Sequence, residues 1–164
     1  MHKPTHAFAV LAALATLCAI SSLTGCSLHN KPSLTVASAK VTDRTDAGFV
    51  IDFIIDAKNT NEFELPLKKA TYTVWLNDAK VFSGVRSPEA SLRRFGIQEV
   101  RLPAAIPSSL DLPDGVVTYR ISGSLLYIRP GTLAEVLFDA GVVTPSRSFA
   151  GQGTIDLGAP INER

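Results

Sequence analysis

Two stretches near the middle of the chain alternate between apolar and polar residues with a period of two. They span residues 49–58 and 68–77, and both are rich in β-branched and aromatic types. This alternation is typical of half-buried antiparallel strands. The apolar residues that share a face are Phe49, Ile51, Phe53, Ile55 and Ala57 in the first stretch and Ala70, Tyr72, Val74 and Leu76 in the second. The pattern predicts two strands joined by the segment 59–67.

Shorter alternating segments predict further strands over residues 34–41, 80–85, 96–103, 116–128 and 147–157. Turn-forming residues separate these segments, and Asn77-Asp78 predicts a tight hairpin turn. The facing of 96–103 is ambiguous, because apolar residues occur at both parities. Gly123 in mid-strand indicates a bulge or a close approach of another backbone. About seven short strands predict an all-β, antiparallel two-sheet β-sandwich.

One segment, residues 132–141, has a helical period instead. Its apolar stripe consists of Leu133, Val136, Leu137 and Ala140. Thr132 and Glu135 predict a capping box, and Gly141 predicts the end of the helix. Residues 133–143 are more apolar than a freely exposed helix would be. This region either caps the open end of the sandwich or offers an apolar contact surface, and we expect it to cap.

Trp75 falls on the strand face opposite Tyr72, Val74 and Leu76. It therefore lies either beneath the predicted helix or at the surface as a contact aromatic. Large exposed aromatic residues are uncommon without a partner. We expect Trp75 to be buried, and an exposed Trp75 would mark a candidate binding residue.

The first residues of the chain have the features of a secretory targeting segment. Lys3 precedes an apolar run over 7–20 that is too short to span a bilayer comfortably. The following Leu23-Thr24-Gly25-Cys26 resembles the lipobox of bacterial lipoproteins. That resemblance implies cleavage between Gly25 and Cys26, and attachment of acyl chains such as palmitate to Cys26.

These features divide the chain into a signal peptide (1–25), a lipidated tether (26–33), a β-sandwich domain (34–158) and a C-terminal tail (159–164). By resemblance to Gram-negative sorting rules, Ser27 after Cys26 favours the periplasmic face of the outer membrane. Removal of 25 residues from the 164 leaves 139, enough for one domain with its own core. Cys26 is then the remaining cysteine, so a disulfide framework is excluded.

Charge and residue type exclude several classes of function. Without Lys3, 15 Lys and Arg residues face 15 Asp and Glu residues, with no basic patch for nucleic acid. His2 and His6 leave with the signal peptide, and His29 lies in the tether, so no histidine-based catalytic or metal site is expected. Asp52 and Asp56 would lie about 13 Å apart on one strand, too far for a glycosidase pair. We expect no enzyme activity, cofactor or small-molecule substrate.

The segment 59–67 resembles the characteristic motif of the type 2 late embryogenesis abundant proteins, also called the WHy (water stress and hypersensitive response) domain. The matching residues are Asn59, Asn61, Phe63, Leu65, Pro66, Leu67 and Tyr72, with Gly84, Val117, Tyr119, Ile121 and Gly123 further on. Thr60 replaces the usual proline, which loosens the turn. The resemblance covers residues 34–158. It implies a fibronectin type III or immunoglobulin-like sandwich and a role in tolerance of dehydration or related stress.

The same turn has a physical interpretation that does not depend on the family. Asparagine side chains bond backbone groups two residues away, so Asn59 and Asn61 can stabilise an abrupt strand exit. Phe63 and Leu65 would fold back over the end of the sandwich, and Pro66 fixes its own φ. The turn is either structural or ligand-contacting, and we favour the structural interpretation.

Two non-enzymatic functions follow. The first is a lipid-anchored stress-protection domain, folded beforehand, that contacts proteins or envelope surfaces weakly and broadly. The second is an envelope adaptor or assembly lipoprotein that binds one specific protein. An exposed Trp75 or an uncovered helix face would favour the adaptor. In either case the chain is expected to be monomeric and to reach the membrane through the lipid on Cys26.

Overall fold

A computed structural model describes residues 29–159. The predicted signal peptide, Cys26, the start of the tether and residues 160–164 lie outside the described residues. The described part contains eight strands and one helix. They are β1 (Ser33–Thr45), β2 (Gly48–Lys58), β3 (Leu65–Leu76), β4 (Ala79–Arg86), β5 (Ser91–Leu92), β6 (Ile97–Pro107), β7 (Val116–Tyr127), α1 (Thr132–Asp139) and β8 (Ser146–Asp156). None of the described helices is long and apolar enough to cross a bilayer.

The strands form two antiparallel sheets packed face to face. One sheet has the order β1-β2-β6, and the other has the order β4-β3-β7-β8 with β5 paired to the start of β3. The predicted all-β sandwich is therefore confirmed. β1 is an edge strand, as expected, although it extends four residues beyond the predicted end at Val41.

The core lies where the predicted alternation placed it. On the predicted faces of β2 and β3 the buried residues are Ile51, Phe53, Ile55, Ala57, Ala70, Tyr72, Val74 and Leu76, whereas Phe49 is only half-buried. The rings of Phe53 and Tyr119 meet edge-on across the two sheets, with centroids 5.5 Å apart. The facing of β6 is now settled, because Val100 and Leu102 point inward and Ile97 is exposed.

The β3–β4 hairpin has the tight turn that Asn77-Asp78 predicted. Both residues have positive φ, 45° and 66°, in a two-residue loop, which is the geometry of a type I′ turn. The Asn77 side-chain oxygen also accepts a hydrogen bond from the backbone N–H of Thr118 at 3.0 Å. We call the end of the sandwich that carries this hairpin the distal end.

The opposite, proximal end is where the chain enters the domain. Ser33 at the start of β1 pairs with Lys58, and Lys58 pairs with Ile97. In the other sheet Leu126 pairs with Ser146. The segments 59–64, 87–96 and 128–145 therefore all leave strands at this end, and we call them the proximal connections.

Helix α1 occurs where the helical period predicted it, and Gly141 ends it with φ 70°. The capping box was wrong: the N-cap is Gly131, and no side chain caps the helix. The expectation that the helix covers the open end of the sandwich was also wrong. No residue of α1 is buried, and Leu133 and Val136 are 71% and 63% exposed.

Gly123 marks a close approach of neighbouring groups, the second of the two predicted alternatives. The pairing of β7 with β3 and β8 continues through Gly123 without a register shift. A Cβ added there would collide with the backbone oxygen of Thr71 and lie 2.7 Å from the Cβ of Tyr72. Only glycine fits at this position without a shift of the neighbouring strand.

Candidate functional site

The turn between β2 and β3 is organised around the buried side chain of Asn59, which is 0% exposed. Its amide nitrogen donates to the backbone oxygens of Phe63, at 2.7 Å, and Leu92, at 3.2 Å. Its side-chain oxygen accepts from the backbone N–H of Asn61 at 3.0 Å. This is the bond to a backbone group two residues on that the residue type predicts. Asn59 thereby joins its own turn to the segment that carries β5.

Asn61 connects the same turn to the tether. Its side-chain oxygen accepts from the backbone N–H of Asn30 at 2.9 Å, and its amide nitrogen donates to the Asn30 backbone oxygen at 2.8 Å. That nitrogen also donates to the Asn59 side-chain oxygen at 2.8 Å. We call Asn30, Asn59 and Asn61 the amide clamp, because they hold the incoming chain against the end of the sandwich.

The clamp leaves little hydrogen-bonding capacity for a ligand. An asparagine amide nitrogen has two hydrogens to donate. In both Asn59 and Asn61 each of these hydrogens already has an acceptor within the protein. Buried polar groups that are fully paired stabilise a single local structure. The geometry supports the structural interpretation of the turn over the ligand-contacting one.

The apolar residues of the motif, Phe63, Leu65 and Leu67, pack at the proximal end of the sandwich. Leu65 and Leu67 are buried in the core, whereas Phe63 is only half-buried. The rings of Phe63 and His29 lie against each other, with their centroids 5.0 Å apart. The backbone oxygen of Pro66 accepts from the N–H of Ile128 at 2.9 Å. The motif thus ties the tether, β3 and the connection after β7 together.

Phe95, beside the clamp, is held in an unusual conformation. Its φ of 49° is left-handed, which is uncommon for a bulky residue, and its side chain is 72% exposed. The backbone N–H of Phe95 donates to the oxygen of Asn61 at 3.1 Å, and the oxygen of Gly96 accepts from the N–H of Asn59 at 2.9 Å. The turn therefore holds an aromatic ring out toward solvent.

Trp75 lies near the other end of the molecule from α1. It pairs with Arg120, whose guanidinium carbon lies 4.4 Å from the centre of the indole ring, a cation–π geometry. The residue is half-buried. The expectation of burial beneath the helix was wrong, because the helix follows the proximal end of β7 while Trp75 lies one residue before the distal end of β3. Trp75 remains accessible as a candidate contact residue.

One buried hydroxyl ties the two sheets together. Tyr72 of β3 donates to the backbone oxygen of Pro103 in β6 at 2.5 Å. Desolvation by burial raises the pKa of Tyr72 to about 12, and Asp52 adds to this rise while Arg86 opposes it. The phenol is thus neutral at physiological pH and serves as a hydrogen-bond donor in the fold.

The carboxylates do not gather into a reactive site. Asp52 and Asp56 alternate with the buried face of β2 and are half-buried. Among residues 29–159 no group of three or more His, Cys, Asp and Glu side chains is placed to hold a metal ion. We find no set of converging polar groups in this part of the chain that would bind a cofactor.

Comparison with known proteins places the turn in a family. Residues 55–133 match the model of the LEA_2 family, described as late embryogenesis abundant protein. This stretch belongs to the LEA_2 family. It contains the clamp residues Asn59 and Asn61, the remainder of the turn motif, and Gly123. Members of LEA_2 are generally non-enzymatic. No curated protein sequence matches the chain.

Solved structures share the fold of the described domain. The solution structure of an Arabidopsis thaliana protein matches with a TM-score of 0.62 and 13% identity, over 83% of this chain and 90% of that chain. A putative late embryogenesis abundant (LEA) protein matches with a TM-score of 0.62 and 16% identity, over 96% and 88%. A protein from Archaeoglobus fulgidus matches with a TM-score of 0.54 and 13% identity, over 74% and 95%. At these identities the likeness shows the fold alone.

The sequence pattern did not indicate several residues that complete the site. Asn30 lies in the predicted tether, and Leu92 lies between the predicted strands 80–85 and 96–103. Both contribute backbone groups that bond the clamp side chains. The residue type at a position does not show where its backbone groups form hydrogen bonds. Pro32, which is buried, was a weak indication that the tether packs against the domain.

Proposed function

We propose that the chain is a lipid-anchored, non-enzymatic envelope protein whose LEA_2 domain protects proteins or envelope surfaces during desiccation, cold or related stress. The observation that carries the proposal is the family match over residues 55–133, which includes the whole clamped turn. The lipobox-like Leu23-Thr24-Gly25-Cys26 supports the anchor, and Ser27 supports delivery to the outer membrane.

The structure supports a domain that is folded before stress arrives. Its core is continuous between the two sheets, and its turn is fully bonded. Disordered protectants lack the apolar residues to form such a core. A folded protectant acts through its fixed surface, so weak and broad contacts with many clients are the expected mode.

The direct test mixes residues 27–164 with a labile, unrelated enzyme through freeze–thaw or drying cycles. Recovered activity is compared with equal masses of albumin and of the same domain unfolded by heat. Protection above both controls at near-stoichiometric ratios is the expected result. Protection no better than albumin would contradict the proposed function.

Two observations favour the second candidate, an envelope adaptor that binds one protein. Trp75 is half-buried with the Arg120 guanidinium over its ring, and Leu133 and Val136 of α1 are exposed. Aromatic and arginine side chains are enriched where proteins bind each other tightly. Photo-crosslinking from position 75 in cells would give one dominant adduct for an adaptor and a diffuse set for a broad protectant. The matched control position is Thr73, two residues earlier on the same strand face.

A further inference from the structure

The exposed apolar side chains of this protein are concentrated at the end where the tether enters. Within residues 29–159, nine large hydrophobic residues are exposed, and six of them lie at the proximal end. These six are Phe95, Ile97, Leu133, Val136, Val142 and Val143. Scattered single exposures need no explanation, but a concentration at one end indicates a contact surface.

Helix α1 and the turn that closes it contribute four of these six residues, and within residues 29–159 no residue of α1 is buried. Leu133 and Val136 lie on the same helical stripe, and the turn that closes the helix adds Val142 and Val143. The turn is well defined, since the N–H groups of Val142 and Val143 both bond the Leu137 oxygen, at 2.9 and 3.1 Å. A defined helix with an uncovered apolar stripe fits the surface of a bilayer.

The position of the tether indicates which surface covers the exposed apolar residues of α1. Asn30 is clamped to Asn61 at the proximal end, and Cys26 lies only four residues before Asn30. Four peptide units span at most about 14 Å. A lipid on Cys26 therefore brings the membrane surface close to the proximal connections. The distal end, with its type I′ hairpin, must then face away from the bilayer.

We propose that the proximal end is a membrane-docking face, in which α1 and Phe95 contact the lipid surface that holds the anchor. The proposal rests on the lipid anchor of the proposed function. Once the lipid is inserted, docking is intramolecular, so weak apolar contacts are sufficient. In this arrangement the left-handed backbone of Phe95 holds its exposed ring where it can contact the lipid surface.

Charge does not drive this docking. The tether, the end of β2 and the proximal connections carry Lys31, Lys58, Arg93, Arg94 and Arg129 against Glu62, Glu64, Glu89, Glu135 and Asp139. This mixed set gives little net attraction to anionic lipid, and exposed charges are screened by salt. We therefore expect docking to depend on apolar contact and to persist at high salt.

The test uses the lipidated protein in vesicles of phosphatidylethanolamine and phosphatidylglycerol. Cys18 leaves with the signal peptide and Cys26 is acylated, so Val136→Cys would introduce a free thiol for an environment-sensitive fluorophore. Val116→Cys is the matched control, because Val116 is similarly exposed, at 70% against 63% for Val136, but begins β7 at the distal end. Doxyl-labelled lipids in the bilayer report contact with the membrane.

We expect quenching at position 136 to exceed that at position 116 by about threefold or more, for an apolar face that enters the boundary of the bilayer. Placing the label at Val142 in a Leu133→Glu, Val136→Glu background should abolish the quenching. Both changed residues are exposed, so the fold is retained. Equal, weak quenching at both positions would overturn docking.

Other outcomes separate the alternatives. A blue-shifted label at position 136 without lipid quenching, with energy transfer between labelled copies, would assign the face to a second copy of the chain and overturn the proposal. Flotation of the protein with the vesicles reports the anchor separately. Protein that floats without quenching retains the anchor and loses docking, whereas protein that fails to float loses both.

Discussion

At the scale of single residues, the buried amide of Asn59 is the main determinant of the proximal end. Three backbone groups, those of Asn61, Phe63 and Leu92, bond to this side chain, and it is fully buried. Removal of the amide leaves several of these groups unpaired inside the protein, and each costs about 1–3 kcal/mol. The turn can relax only partly, because β2 and β3 fix both of its ends.

We therefore expect Asn59→Ala to lower the free energy of unfolding by about 3 kcal/mol. Urea unfolding followed by tryptophan fluorescence would measure the change. Thr60→Ala is the matched control, because Thr60 is adjacent and exposed, and it should change stability by less than about 0.5 kcal/mol. Equal effects of the two substitutions would contradict the role of the clamp.

The hydroxyl of Tyr72 predicts a dependence on pH at the alkaline end. Its folded pKa of about 12 lies above the ordinary 10.0, so the folded state holds the proton more tightly than the unfolded state. Its contribution to stability is complete below pH 10 and is lost as pH rises from 10 toward 12.

Tyr72→Phe tests this contribution. At pH 8 the variant should be less stable by about 1 kcal/mol, the usual worth of one hydrogen bond. The difference in unfolding free energy between wild type and variant should shrink when both are measured at pH 11. A difference that is constant from pH 8 to pH 11 would show that the hydroxyl does not titrate as proposed.

The residue scale also shows what the sequence could predict. An asparagine at a strand exit can bond its own turn, so the local bonds of Asn59 follow from its residue type. The bonds to Asn30 and Leu92 cross 31 and 33 positions of chain. Nothing in the spacing of residues encodes such long-range backbone partners, so they required the structure.

At the scale of elements, the β3–β4 hairpin is a place where stability can be gained. Asp78 has φ 66°, a conformation that glycine adopts more readily and that type I′ turns fill with Asn-Gly. The ion pair of Asp78 with Arg120, at 3.9 Å between largely exposed groups, contributes little.

We expect Asp78→Gly to raise the free energy of unfolding by about 0.5 kcal/mol. Chemical denaturation at several salt concentrations would measure it, and Asp78→Asn controls for loss of the ion pair without added backbone freedom. A decrease in stability for the glycine variant would indicate that the ion pair or the unfolded-state entropy dominates.

Elements differ in how much of them alternation could predict. β2 and β3 were correct because one face of each is buried, so period two appears directly in the sequence. β6 was ambiguous, since Ile97 is apolar yet exposed at the proximal end. The helical period predicted the position of α1 correctly, but the prediction that α1 covers the end of the sandwich was wrong. An apolar stripe indicates that something covers a helix and does not say whether it is the protein's own core.

At the scale of the whole molecule, the proposed anchor decides where the domain resides. Acyl chains on Cys26 would hold it at a bilayer almost permanently, because each buried methylene contributes about 0.8 kcal/mol. We expect Cys26→Ser to shift the protein from the membrane fraction to the soluble fraction of cells. Mass spectrometry of the N-terminal peptide would identify the acyl chains in wild type. Retention of the Ser variant at the membrane would exclude the lipid as the anchor.

The amide clamp also has a mechanical consequence. With the proposed anchor on Cys26, a pull between the membrane and the domain reaches the fold at His29 and Asn30, and the two bonds of Asn30 to Asn61 carry load before the first β1 pair, Ser33 with Lys58. The clamp therefore protects the edge strand β1 from force applied through the tether. In an optical trap attached at the N-terminus, Asn61→Ala should lower the force of the first extension step and leave the later rupture of the sheets unchanged.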